Sequence, residues 1–215
     1  MGMDNMTQFL DSGMGSSVWA DAHQDEPNAW IRMVAGTGDV LLFSGRTWAA
    51  RTVRWFTASP WSHVAIVVND PLIFPEPLVL EATRASDLKD LLRGRRSGDG
   101  VQLVSLQEKL CSYPGRVVLR RWPGHKQRPD SEAVFRVLEE YGRRPYLDYV
   151  RRNVRQWLGL PQGQGTFCSE LVVEVLKIWG LLVPERPARL YVPRHFSEQA
   201  LPELGLGGVR VLKEA

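Results

Sequence analysis

The chain has 215 residues, of which 44% are hydrophobic and 24% charged, with a formal net charge of +3. This composition excludes a disordered chain, and the length suits one compact domain with a substantial core. With only two cysteines there is no disulfide framework, so we expect a protein of a reducing compartment. No apolar run is long enough to span a membrane.

The first 35 residues are polar and show little periodicity, which predicts a flexible or loosely packed N-terminal extension. Trp19, Trp30, Ile31 and Val34 are the apolar residues in it that we expect to dock on the body. The extension lacks the basic and apolar regions of a secretory signal, so we expect a cytoplasmic protein, at most peripheral to a membrane. Residues 36–215 then form a single domain with a C-terminal wrapping tail.

Three short apolar runs predict buried strands in the first half of the domain. They are residues 38–43 (GDVLLF), 61–68 (WSHVAIVV) and 78–82 (LVLEA). Residues 46–56, between the first two runs, predict a helix with tryptophans among basic residues. If the last two strands pair antiparallel, their alternation allows His63 and Glu81 to share a face of the sheet.

The middle of the chain predicts a loop, two strands and two helices. Residues 84–100 are polar and basic and predict a loop with a helical turn, and residues 101–104 and 117–122 predict strands. Ser105 and Glu108 form a capping box for a short helix on which we expect Cys111 to be buried. Asp130 caps a helix that ends at Tyr141, in which Val134, Phe135 and Leu138 are expected to face the core.

A further helix is predicted from Pro145 to Leu158, with an apolar stripe on one side. Three arginines, Arg151, Arg152 and Arg155, lie away from that stripe and suggest a binding face for an anionic partner, such as a membrane surface. An ordinary solvated helix face is the alternative interpretation of these arginines. The arginines of the chain are not interleaved with exposed aromatic residues in a recognisable motif, so no nucleic-acid partner is expected.

Residues 165–171 (GTFCSEL) follow a turn-forming stretch and start an apolar helical pattern that continues to Trp179. Cys168 therefore lies in the first turn of a helix, where free N–H groups and the helix dipole favour a thiolate. A small apolar residue packed in the core is the alternative interpretation of this position. The tail after Pro184 contains His195 and a short strand at residues 209–211.

A thiolate nucleophile requires an imidazole partner, and the imidazole requires an orienting group. His63 starts an apolar strand and Glu81 is the one carboxylate in another, so these two residues with Cys168 supply the three groups. The remaining histidines, His23, His125 and His195, do not open buried strands and are not assigned a role.

The motifs at residues 38–43, 61–67, 80–82 and 167–172 together resemble the YiiX-like branch of the permuted NlpC-type papain-like cysteine hydrolases. In that group the histidine strand precedes the cysteine helix, as in this chain. The resemblance implies an α+β, circularly permuted papain-like fold, with an antiparallel sheet packed against the cysteine-bearing helix. It also implies that Cys168 is the nucleophile, His63 the base and Glu81 the third polar residue.

Within the resemblance, Tyr146 matches a tyrosine often found before the cysteine, and Tyr146 and Trp61 are candidate substrate contacts. The implied reaction is cleavage of an amide, isopeptide or thioester through an acyl-enzyme, with a peptide, lipid or other acyl substrate and with neither metal nor cofactor. Two alternatives remain at this point. One is a lipid acyltransferase of the lecithin retinol acyltransferase type, although no hydrophobic insertion segment is evident, and the other is a non-catalytic anion-binding module. The sequence gives no oligomeric state.

Overall fold

The computed structural model describes residues 31, 34–84, 86–96, 98–123, 127–147, 165–183, 186–197 and 204–214. Its strands are β1 (Val40–Gly45), β2 (His63–Val68), β3 (Leu78–Thr83), β4 (Lys89–Asp90), β5 (Arg95–Arg96), β6 (Gly100–Ser105), β7 (Gly115–Arg120) and β8 (Val209–Lys213). Its α-helices are α1 (Trp48–Thr57), α2 (Leu106–Ser112), α3 (Ser131–Tyr141) and α4 (Cys168–Ile178). Two 3-10 helices, Ala188–Leu190 and Pro193–Phe196, follow α4.

Six of these strands form one sheet in the order β6-β3-β2-β1-β7-β8, in which neighbouring strands pair antiparallel. The predicted α+β class with an antiparallel sheet is therefore confirmed. Strands β1, β2 and β3 are adjacent in sequence and in space, as short connections favour. The β2–β3 connection contains Pro71, Pro75 and Pro77, which cannot continue a ladder of hydrogen bonds.

Strands β1, β2, β3 and β6 are buried on both faces of the sheet, which explains why their sequences are largely continuous apolar runs rather than alternating ones. One face packs against α3 and α4 and includes Val64, Ile66 and Leu171. The other face packs against α2 and includes Val67 and Val79. Ile31 and Val34 are buried on this second face, so the folded body begins before residue 36, while residues 1–30 lie outside the described part of the chain.

Side-chain caps mark the starts of three helices. Ser105 and Asp130 cap α2 and α3 as predicted, and the Thr47 side chain, for which no cap was predicted, accepts a hydrogen bond from the Ala50 N–H at the start of α1. In α3 the buried residues include Val134 and Leu138, whereas Phe135 is only half-buried, so the predicted apolar face is rotated slightly.

The structure corrects three predictions for the loops and the tail. Residues 84–100 contain the β4–β5 hairpin rather than a helical turn. Residues 145–147 are not helical: Tyr146 forms a parallel bridge with Thr166, and residues 148–164 lie outside the described part of the chain. The tail is more than a surface wrap, because Tyr191 and Phe196 are fully buried in the core beneath α4. Ser169 on α4 holds this segment by donating to the Tyr191 carbonyl at 2.6 Å.

Candidate active site

The predicted site residues come from three separate elements. His63 is the first residue of β2, Glu81 lies within β3, and Cys168 is the first residue of α4. Helix α4 packs directly against β2 and β3. The three elements are therefore neighbours in space, although the residues are far apart in sequence.

His63 and Glu81 are in direct contact, with 2.6 Å between His63 Nε2 and Glu81 Oε2. The register of the strands explains the contact. Val67 pairs with Val79 across β2 and β3, so two-residue alternation places His63 and Glu81 on the same face as this pair. His63 is a diagonal neighbour of Glu81 on that face, a separation that long side chains bridge.

Glu81 is fully buried, and two further side chains bind its other oxygen. Gln102 lies directly opposite Glu81 on β6, and its Nε2 donates to Glu81 Oε1 at 2.7 Å. Lys109, from α2, donates to the same oxygen through its Nζ and forms an ion pair with it. Three partners from β2, β6 and α2 thus satisfy this carboxylate, as a buried charge requires.

The ammonium group of Lys109 is itself held in an aromatic environment. It lies 5.5 Å from the ring centroid of Phe43 and 6.0 Å from that of Tyr113. The Phe43 ring also contacts the His63 ring, with 5.3 Å between their centroids. A cation over aromatic faces loses water but gains attraction to the ring quadrupole, which offsets part of the cost of burying the ammonium group.

These contacts keep Glu81 ionised. Burial alone raises the pKa of the Glu81 carboxyl, but the charge of Lys109 and the hydrogen bond and charge of His63 outweigh it and hold this pKa well below its usual range. His63 shows the matching effect. Burial alone lowers its pKa, but the charge and hydrogen bond of Cys168, followed by those of Glu81, raise the pKa of His63 to about 9.

The Cys168 thiol lies close enough to the His63 ring to raise its pKa. Because Nε2 binds Glu81, Nδ1 is the ring nitrogen left to exchange a proton with Cys168. Cys168 is 7% exposed and begins α4 after Phe167, whose side chain has no oxygen with which to cap the helix. The arrangement combines a sulfur at a helix N-terminus, a protonated imidazole and an ionised carboxylate.

The sequence does not predict Gln102 and Lys109 as site residues, although each has a sequence feature that points weakly to a role of this kind. Gln102 is the one polar residue within the apolar run of residues 101–104, and Lys109 stands three residues after Leu106 on the buried side of a short amphipathic helix. A lysine at such a position requires a partner, but the sequence does not identify it as Glu81.

The remaining predicted site residues are less closely connected to this cluster. Trp61 is buried in the core on the α4 side of the sheet, and Tyr146 is half-buried against the same core, close to Cys168 through the bridge to Thr166. Neither arrangement tests the predicted role in substrate binding. The predicted anion-binding face of Arg151, Arg152 and Arg155 lies outside the described residues.

Cys111 is exposed, so its predicted burial is wrong. Helix α2 turns Leu106, Lys109 and Leu110 toward the protein, and Cys111 follows one position, about 100°, further round the helix. The more accessible thiol of the pair is therefore not the one beside His63.

The described residues contain no group of three or more His, Cys, Asp or Glu side chains that could hold a metal ion. No helix among them has both the length and the apolar character needed to cross a bilayer.

Comparison with known proteins shows a similarity to a solved structure. No family model and no curated protein matches the chain. The crystal structure of the metalloprotein YiiX from Escherichia coli O157:H7 is similar to it, with a TM-score of 0.45 and 21% sequence identity. The match covers 66% of this chain and 65% of YiiX, so the chain spans just under two thirds of the length of that structure.

Proposed function

We propose that this protein is a cysteine hydrolase that cleaves an amide, isopeptide or thioester bond through an acyl-enzyme on Cys168. The observation that carries the proposal is the position of His63, which interacts with Cys168 and bonds to the buried Glu81 at 2.6 Å. This spatial order of a nucleophile, a base and an orienting carboxylate is the one that covalent acyl transfer requires. The chain order, with the histidine strand before the cysteine helix, agrees with a circularly permuted papain-like arrangement.

In the first half of the proposed reaction, the Cys168 thiolate attacks the carbonyl carbon and forms a C–S bond. The negative charge that develops on the carbonyl oxygen is stabilised by the backbone N–H of Cys168 at the helix terminus. The bond to the leaving group then breaks, and the His63 imidazolium gives that group its proton. The products of this half are a released amine or thiol, an acyl thioester on Cys168 and a neutral imidazole.

In the second half, water attacks the acyl thioester and His63 accepts its proton. The C–S bond breaks, a carboxylic acid leaves, and the thiolate and imidazolium are restored. Glu81 holds the ring so that Nδ1 faces the sulfur in both halves, while Gln102 and Lys109 hold Glu81. Lys109 and Gln102 act through Glu81 and are therefore positioning residues.

The test is intact-mass analysis after incubation with panels of acyl amides, thioesters and lipids. We expect a mass increase equal to the acyl group, located on Cys168 by peptide mapping and absent from Cys168→Ala. Cys111→Ser is the matched control, because it removes the other thiol and should form the adduct like the parent. Adducts that map to Cys111, or that persist in Cys168→Ala, contradict the proposal.

A second measurement separates hydrolysis from transfer. With a substrate that forms the adduct, release of the free acid in the presence of added alcohols and amines supports a hydrolase. Release of the corresponding ester or amide in preference to the acid assigns the protein to the acyltransferases instead.

A further inference from the structure

Helix α1 carries its large aromatic side chains on the outside of the protein. Trp48, Trp55 and Phe56 are 81%, 75% and 57% exposed, and they are all of the large exposed aromatic residues among the described part of the chain. Thr57 is the one buried residue among the α1 side chains that the structure describes. The sequence predicts this helix but not the direction in which its aromatic residues point.

A soluble protein seldom groups its exposed aromatic surface on one helix unless that surface binds something. The other exposed large hydrophobic side chains are aliphatic and lie elsewhere, at Leu72, Val183, Leu190 and Val211. Trp55 and Phe56 contact each other edge to face, with 5.0 Å between ring centroids. Trp48 lies seven residues, close to two helical turns, before Trp55 and therefore on the same side of α1, so the three aromatic residues form one patch.

This segment is basic as well as exposed. Residues 46–61 contain three arginines, Arg46, Arg51 and Arg54, and no acidic residue. The guanidinium of Arg51 lies 5.4 Å from the ring centroid of Trp48, which places positive charge within the aromatic patch.

We propose that α1 is a membrane-docking helix that binds the surface of an anionic lipid bilayer. Tryptophan rings are favoured at the boundary between headgroups and acyl chains, where an apolar ring and a polar N–H are both satisfied. Arginines beside them attract anionic headgroups. A short helix with aromatic and basic residues and no acidic residue has the composition of one that lies in the plane of this boundary.

The helix is attached to the candidate active site by a short series of hydrogen bonds. Arg54 donates to the Gly45 carbonyl at 3.1 Å, and the Gly45 N–H donates to the Ser62 hydroxyl at 3.0 Å. Ser62 directly precedes His63. Docking of α1 therefore brings the His63 end of β2 close to the bilayer, but the docking itself does not depend on the chemistry proposed for Cys168.

The test is sedimentation of the full chain with phosphatidylcholine vesicles that either contain or lack phosphatidylserine. We expect binding that requires phosphatidylserine and weakens as salt is added. Trp48→Ser/Trp55→Ser/Phe56→Ser should reduce the partition coefficient at least about tenfold through lost insertion. Arg46→Glu/Arg51→Glu should reduce it by a similar factor, since each arginine near the surface contributes roughly fivefold.

Two variants supply matched controls for these changes. Leu72→Ser/Val183→Ser removes exposed apolar surface elsewhere, and Arg95→Glu/Arg96→Glu reverses the same number of exposed charges on β5. Both should bind vesicles like the parent. Cys168→Ala should also bind like the parent, so failure of the proposed catalytic function and failure of this docking surface remain distinguishable.

Several outcomes overturn the proposal. They are absence of parent binding to either vesicle, equal binding by the aromatic variant, and loss of binding in either control or in Cys168→Ala. A parent that forms dimers through this patch, detected by analytical ultracentrifugation and abolished in the aromatic variant, would assign α1 to self-association. Binding to a single-stranded oligonucleotide in place of vesicles would assign it to nucleic acid.

Discussion

Two fully buried carboxylates, Asp39 and Glu81, lie in the same sheet region but have different kinds of partner. Asp39 accepts hydrogen bonds from the backbone N–H groups of Gly36 at 3.0 Å and Trp122 at 2.9 Å. It also pairs with Arg128 at 3.1 Å and Arg121 at 3.7 Å, both more than a third exposed. These contacts attach the start of β1 to the chain beyond β7, so Asp39 connects backbone segments.

Glu81, in contrast, binds the side chains of His63, Gln102 and Lys109. Two of these are titratable, and one of them also interacts with a thiol. Backbone partners cannot change their protonation and therefore favour structure, whereas an imidazole partner can transfer a proton during a reaction. The comparison indicates that the type of partner, rather than burial, separates a structural carboxylate from a candidate catalytic one.

The largest expected effect concerns the reactivity of the Glu81 cluster. His63→Ala should lower acyl turnover by roughly 10²–10⁴-fold, because the general acid and base is lost. It should also slow alkylation of Cys168 by iodoacetamide, while exposed Cys111 serves as an internal reference whose rate stays unchanged. Asp39→Asn is the matched control, because the molecules of this variant that are folded should show the parent rates of acyl turnover and of Cys168 alkylation. An unchanged Cys168 rate in His63→Ala contradicts the comparison.

The next effect is on stability and concerns Asp39. Asp39→Ala removes the acceptor for two backbone N–H groups and should lower the free energy of unfolding by about 3 kcal/mol. Asp39→Asn should lower it less, because the amide oxygen still accepts one of these bonds. Urea unfolding followed by tryptophan fluorescence measures both values. If Asp39→Ala unfolds at the parent midpoint, Asp39 is not the connection described above.

A smaller effect distinguishes Glu81 from Lys109 by the sign of the change that the loss of each charge causes in the pKa of His63. The pKa of His63 is raised to about 9, partly by the negative charge of Glu81. Glu81→Gln removes that charge and should lower the His63 pKa, whereas Lys109→Met removes a nearby positive charge and should raise it. Each shift should be about 1 pH unit. NMR titration of the imidazole, assigned with His63→Ala, measures both, and shifts of the same sign refute the arrangement.

The smallest effects are expected for Arg128 and Arg121, the two partly exposed arginines that pair with Asp39. Arg128→Ala should lower the free energy of unfolding by about 1 kcal/mol, because Arg128 also donates to the Thr37 carbonyl. Arg121→Ala should change it by less than about 0.5 kcal/mol, because its contact with Asp39 is longer, at 3.7 Å, and its side chain is more than a third exposed. Chemical denaturation of the two variants side by side measures both losses. A larger loss of unfolding free energy in Arg121→Ala than in Arg128→Ala would contradict the prediction.

Some features of the protein were accessible from the sequence because they depend on local periodicity. Apolar runs predict β1, β2 and β3, and the helical pattern after residue 165 predicts α4 with Cys168 in its first turn. Two-residue alternation allows His63 and Glu81 to share a face, and the structure brings them into contact. Each inference uses residues close in sequence or strands joined by a short connection.

Other features were decided by the tertiary structure. Gln102 and Lys109 reach Glu81 because β6 pairs with β3 and because α2 folds back beside it, and neither pairing is encoded in a local pattern. The exposure of Cys111 and of the α1 aromatic residues depends on which side of each helix packs against the rest of the protein. Amphipathic periodicity defines the two sides of a helix, but only the competition among all apolar surfaces for burial determines which side is covered.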